Sequence, residues 1–178
     1  GYFGYPLRLT KEIVKMEGST GDDGKAAFGK VSILNLVDKT ETAIDTAAAW
    51  VHYANNVKGY NIKHWEIGNE TWNPGYMGSD PGRTQQAQDI ITFCQAMKLA
   101  DPTILCGTTA NSGSDWNTLL SLAASSIDFL SVHTYPAYGY TDYTTYTNSS
   151  PSATSKVDEA YTALQSYPAH KDRIQIVV

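Results

Sequence analysis

From residue 31 onward, short apolar runs rich in β-branched residues alternate with longer stretches of helical periodicity, and this alternation narrows the fold more than any other feature. The runs at 31–37, 62–69, 103–109, 127–135 and 173–178 predict strands. The stretches 42–57, 84–99, 117–124 and 152–166 predict helices. Ile44, Ala47, Ala48, Val51 and Ala54 form one apolar stripe, and Ala87, Ile90, Ile91, Cys94 and Met97 another. In 152–166 the stripe is Val157, Ala160, Tyr161 and Leu164, with Ser152 as the expected cap. Alternation of this kind implies an α/β fold, because parallel neighbours need a crossover that returns the chain to the same end of the sheet. Two architectures satisfy it: a doubly wound open sheet, or part of a TIM (β/α)8 barrel. A whole barrel takes about 250 residues, so a chain of 178 holds only part of one.

Charge and composition exclude several kinds of partner. The chain is 42% hydrophobic and 17% charged, which suits a folded domain rather than a disordered one. Its net charge is -5, and thirteen Lys and Arg residues are scattered without a basic run. Nucleic acid and anionic membrane surfaces are therefore not expected partners. No apolar run approaches the roughly 18 residues that span a bilayer. Twelve tyrosines and four tryptophans are many for so few charges. Several, such as Tyr135, Tyr138, Tyr140, Tyr143 and Tyr146, fall in segments that read as loops, where an aromatic face suits a sugar ring as well as an ordinary amphipathic surface.

Cys94 and Cys106 sit in a predicted helix and a predicted strand with no metal-ligand spacing, and are expected to be buried thiols. No metal and no cofactor are expected. The glycine cluster Gly18-Ser19-Thr20-Gly21-Asp22-Asp23-Gly24-Lys25 fails as a phosphate loop: five residues separate Gly18 from Gly24, and Ala26 follows Lys25 where Ser or Thr is required. Residues 1–29 are otherwise unassigned. The opening Gly1-Tyr2-Phe3-Gly4-Tyr5-Pro6 has no leader-like pattern, and the chain is expected to begin inside a longer protein.

The stretch that carries chemistry is Trp65-Glu66-Ile67-Gly68-Asn69-Glu70, which begins as a strand and ends in two polar residues. In a barrel the carboxyl ends of the strands line the active site. A glycosidase needs a carboxylic acid that protonates the leaving oxygen, and an amide that bonds a sugar hydroxyl in the transition state. Glu70 and Asn69 are the candidates for those roles. Read without context, the same pair is a solvated carboxylate beside a turn residue. Strand alternation adds a difficulty, since it places Asn69 and Glu70 on opposite faces unless the strand end twists or bulges. Gly68 is where such a bulge is expected. Trp65 is expected to pack in the core, Trp72 to offer a platform for a sugar, and Glu66 to be structural, because a buried carboxylate requires a partner. A later run ends in His133-Thr134-Tyr135-Pro136, where His133 and Tyr135 face the same way. Asn111 follows another strand and is a candidate binding residue.

Trp65 to Glu70 resembles the fourth-strand signature of the clan of retaining (β/α)8 glycosidases, most of all the alpha-L-arabinofuranosidases of glycoside hydrolase family 51. Ala48-Ala49-Trp50-Val51-His52-Tyr53-Ala54-Asn55 is similar to the helix before that strand, and His133-Thr134-Tyr135 to the sixth-strand motif. The resemblance implies a single partial barrel over 1–178, holding about strands three to seven of eight. It implies Glu70 as acid/base, with Asn69, His133, Tyr135, Trp72 and Asn111 about the substrate. It places the nucleophilic Glu just beyond Val178. Asp80, Asp115 and Asp142 could substitute only from loops outside any matching motif, so this chain alone is expected to be inactive. The implied substrate is a plant-type polysaccharide or its oligomers, arabinofuranosides first and β-linked glucans or xylans next, and such a role suits secretion. Sequons at Asn69 and Asn148 add nothing, the second reading as a loop match. Two alternatives stay open: a non-catalytic carbohydrate-binding barrel, and a doubly wound domain holding a phosphorylated ligand.

Overall fold

A computed structural model describes residues 31–34, 41–73, 81–135 and 142–178. The glycine cluster at 18–25, Asp80, Pro136, Tyr138 and Tyr140 lie outside the described residues. Five short strands form one parallel sheet: β1 (Val31–Leu34), β2 (His64–Ile67), β3 (Leu105–Thr109), β4 (Phe129–Ser131) and β5 (Gln175–Val177). Their spatial order is their chain order. A doubly wound sheet reverses direction at a switch point. No reversal occurs among the described strands, which removes that alternative and matches an arc of a (β/α)8 barrel.

Four helices cover one face: α1 (Glu41–Val51), α2 (Arg83–Ala100), α3 (Gly113–Ala123) and α4 (Tyr143–Gln165). Each packs against the next along the arc. β2, β3 and β4 send alternate side chains outward to these helices. Trp65, Ile67, Cys106, Leu130 and Val132 join Val51, Ile90, Met97, Trp116, Leu120 and Leu164 in one buried cluster. Cys94 and Cys106 are free and buried within it, and burial pushes the Cys94 thiol up. No described helix is long and apolar enough to cross a membrane.

The helix starts differ from expectation for identifiable reasons. α3 begins at Gly113 rather than 117, capped by Ser112, whose hydroxyl accepts from the Asp115 amide at 3.3 Å. α4 begins at Tyr143 rather than 152, and its cap is Asp142, which accepts from the Thr145 amide at 2.7 Å. Ser152 is therefore not a cap. Its hydroxyl donates to the Ser149 carbonyl inside the helix, directly after Pro151. Tyr143, Tyr146 and the sequon residue Asn148 are likewise exposed helical residues rather than loop residues. Asp142 cannot stand in as a reacting carboxylate, because both its oxygens accept from Thr145. Asp115 sits in the first turn of α3.

β2 carries the motif, and its two ends are clamped. α1 continues into a π-helical turn, His52–Val57. From that turn Asn55 bonds both polar groups of Ile62, accepting from its amide at 2.7 Å and donating to its carbonyl at 2.9 Å. At the far end the Thr108 hydroxyl donates to the Ile67 carbonyl at 3.1 Å and accepts from Gln86 of α2 at 3.1 Å. Gln86 also donates to the Thr109 carbonyl at 3.0 Å. Substituting Thr108→Val keeps the shape and leaves the buried Ile67 carbonyl without this donor. A loss of about 1–2 kcal/mol is expected, read as a lower urea midpoint of the full-length protein.

Candidate active site

Past Ile67 the chain leaves its strand through two residues in the left-handed region, Gly68 at φ 83° and Glu70 at φ 47°. Glycine takes this conformation freely, whereas a glutamate does so at a cost of roughly 1 kcal/mol or more. The bend ends in a turn closed by the Asn73 amide donating to the Glu70 carbonyl at 2.8 Å. Its effect is to break strict alternation where the motif requires it. Glu70 is buried at 7% exposure, with its carboxylate beside residues that follow β4.

Two groups from that segment meet a single oxygen of Glu70. The Tyr135 hydroxyl donates to Oε1 at 2.8 Å, and His133 Nδ1 lies 3.0 Å from the same atom. Neither engages Oε2. Tyr135 is 64% exposed despite this bond, so its ring forms part of the rim. The Trp72 ring stands edge-on to His133 with centroids 6.4 Å apart. Behind the bend, Arg83 at the start of α2 donates to the buried Thr71 hydroxyl at 3.3 Å.

His133 is bracketed by two carboxylates. Its Nε2 lies 3.3 Å from Glu66 Oε1, and its Nδ1 meets Glu70. Glu66 faces the barrel interior because its neighbours Trp65 and Ile67 face the helices. These carboxylates, Glu66 foremost, push the imidazole up from 6.5 to about 9, against the opposing effect of burial. The sign follows from a raised value: the stabilisation from the charged imidazole is complete below pH 6.5 and disappears as pH rises through about 9.

Of the sequence candidates, Glu70, His133, Tyr135 and Trp72 come together. Asn69 is half-buried, and its side chain has no hydrogen bond to the described residues. Asn111 is exposed, and its carbonyl accepts from Lys156 at 2.5 Å. Trp65 is fully buried and donates to the Ile62 carbonyl at 3.2 Å, a packing residue. The approach of Glu66 to His133 was not foreseen as part of the site, although a carboxylate at an inward strand position was the available signal. Among the described residues, no group of His, Cys, Asp and Glu is arranged to hold a metal ion.

No family model matches the chain. Sequence similarity is nevertheless clear to fungal enzymes. It is 32% identical over 124 residues to a probable alpha-L-arabinofuranosidase C of Aspergillus niger, covering 60% of this chain and 24% of the relative. It is 31% identical over 124 residues to alpha-L-arabinofuranosidase C of Emericella nidulans, covering 53% and 24%. The chain thus spans about a quarter of the length of these relatives. Its fold matches an alpha-L-arabinofuranosidase from Thermotoga maritima with a TM-score of 0.67 at 22% identity, over 80% of this chain and 32% of that one. A family 51 alpha-L-arabinofuranosidase from Bifidobacterium longum matches with a TM-score of 0.63 at 18% identity, over 94% and 46%.

Proposed function

We propose that this chain, an arabinofuranosidase-like part of a (β/α)8 barrel, carries the acid/base half of a retaining glycosidase site for plant-type carbohydrate. The observation that supports this reading best is the holding of Glu70. Tyr135 and His133 both engage Oε1, so the proton to be delivered sits on Oε2, the oxygen that neither of them engages. In the first step Oε2 protonates the glycosidic oxygen as a second carboxylate attacks the anomeric carbon and the leaving group departs. In the second, Glu70 takes a proton from water, whose oxygen displaces the enzyme carboxylate from the sugar and restores the starting configuration. The partner carboxylate must lie about 5 Å from Glu70.

β5 has the geometry to present it. Gln175 pairs in register with Phe129, and Val177 with Ser131, on the inward set of positions. If the alternation continued, a residue one past Val178 would be inward again, level with His133. We assign the nucleophilic Glu there. Trp72 and the exposed ring of Tyr135 offer faces to the sugar, and arabinofuranosides are the first choice of substrate.

The test is hydrolysis of 4-nitrophenyl α-L-arabinofuranoside by the full-length protein, with the first-formed anomer followed by proton NMR. Release with retained configuration is expected. Inverted product, or binding of arabino-oligosaccharides without any turnover, would overturn the reading in favour of different chemistry or of a binding protein.

A further inference from the structure

The inner face of β2 holds a second carboxylate that the proposed reaction does not consume. Glu66 is 1% exposed, and its Oε1 receives no hydrogen bond. A buried, ionised carboxylate demands a counter-charge. Among the described residues the one cationic group paired with it is His133, whose Nε2 stands 3.3 Å from that oxygen. The same ring reaches Glu70 Oε1 through Nδ1 at 3.0 Å. One imidazole therefore spans two carboxylates four residues apart, one on β2 and one in the bend that follows it.

We infer that Glu66 is a positioning residue for the acid/base, holding His133 as a doubly protonated bridge so that Nδ1 keeps Glu70 Oε1 engaged and Oε2 turned to substrate. This rests on the glycosidase reading. Charge explains why a carboxylate suits the place. With Glu70 protonated, Glu66 and His133 balance each other, and the acid form carries no uncompensated charge. With glutamine at 66, the same protonated state would leave a bare imidazolium in a buried site. The imidazolium would then give up its proton at lower pH. Among the described residues, the titratable groups facing His133 are Glu66 and Glu70 from β2 and its bend, and Tyr135 from its own segment. His64, further down β2, lies edge-on to Phe129. The inward positions of β3 and β5 hold Gly107, Thr109, Gln175 and Val177, none of which titrates.

Two measurements on the full-length protein test this. The first is the pH profile of kcat/KM with the aryl arabinofuranoside for wild type, Glu66→Gln and Glu66→Asp. Glu66→Gln is expected to move the alkaline limb down by roughly one pH unit or more and to lower the optimum rate about ten-fold. Glu66→Asp, which keeps the charge, restores most of the limb. A uniform fall in rate with an unmoved limb would reduce Glu66 to a structural role and overturn the inference. The second needs no turnover: the His133 imidazole is titrated by NMR, its signal assigned with His133→Gln. A wild-type midpoint well above 6.5 that drops in Glu66→Gln is expected, and a wild-type midpoint near 6.5 would refute the bridge even if the variant does not fold. Absence of any hydrolysis by the wild type, with the raised and Glu66-dependent midpoint intact, would count against the glycosidase reading and leave the bridge standing.

Discussion

Glu70→Gln in the full-length protein is expected to slow hydrolysis of alkyl arabinofuranosides by about 10²–10⁴-fold, because the glutamine keeps the carboxylate's shape and cannot give a proton. The loss should depend on the leaving group. A 2,4-dinitrophenolate departs without protonation, so the first step with that substrate should be nearly untouched and the second, which needs a base, should become limiting. A burst of dinitrophenol followed by slow turnover is the expected trace. Azide requires no deprotonation and should accelerate the second step, giving a glycosyl azide of retained configuration. Equal losses for good and poor leaving groups would mean that Glu70 does not act on the leaving oxygen. The bonds from Tyr135 and His133 would then serve another purpose.

Gly107→Ala should be the most disruptive single-methyl change in the described structure. Gly107 lies on the inner face of β3, in register with Glu66 on one side and Phe129 on the other. A Cβ there would meet three atoms of the Phe129 ring at 2.2, 2.3 and 2.4 Å. That ring is fully buried and also faces His64 with centroids 5.5 Å apart, so it has no open direction in which to retreat. Overpacking of this severity is expected to cost about 3 kcal/mol or more, seen as a thermal midpoint lower by several degrees or as loss of soluble protein. Pairing it with Phe129→Leu should recover part of the loss if the ring is the obstacle. A melting temperature unchanged by Gly107→Ala would show that β3 and β4 do not pack this closely.

The strands could be read from their β-branched runs because each serves a buried sheet, and Glu70 could be singled out as a candidate because its motif sits at a strand end. The runs overstate the strands: 127–135 contains only Phe129–Ser131 in ladder pairing. His133 and Tyr135 have left the sheet, yet they keep its inward direction, so the inference that they face together survived the shorter strand. The start of α4 was illegible for a local reason. Thr144, Thr145, Thr147, Ser149 and Pro151 all argue against a helix by propensity, and the hydroxyls of Thr147, Ser149 and Ser152 are accommodated by bonds to carbonyls within the helix. The conflict between Asn69 and Glu70 was visible in the sequence, but its resolution was not. Left-handed backbone at a glutamate has no compositional mark, although Gly68 pointed to the place. The Glu66–His133 pair was hidden because it joins residues 67 apart, across β3 from β2 to the segment after β4, rather than through any local period.

The left-handed bend at Glu70 sets stability and chemistry against each other at one residue. Glycine or asparagine would sit in that backbone more comfortably, and Glu70→Gly should relieve part of the local strain while removing the carboxylate altogether. Any screen of this protein for thermal tolerance alone, blind to turnover, would therefore be drawn toward replacing the very side chain on which the proposed chemistry depends. A homologue that no longer performed the proposed reaction would be free to drift the same way.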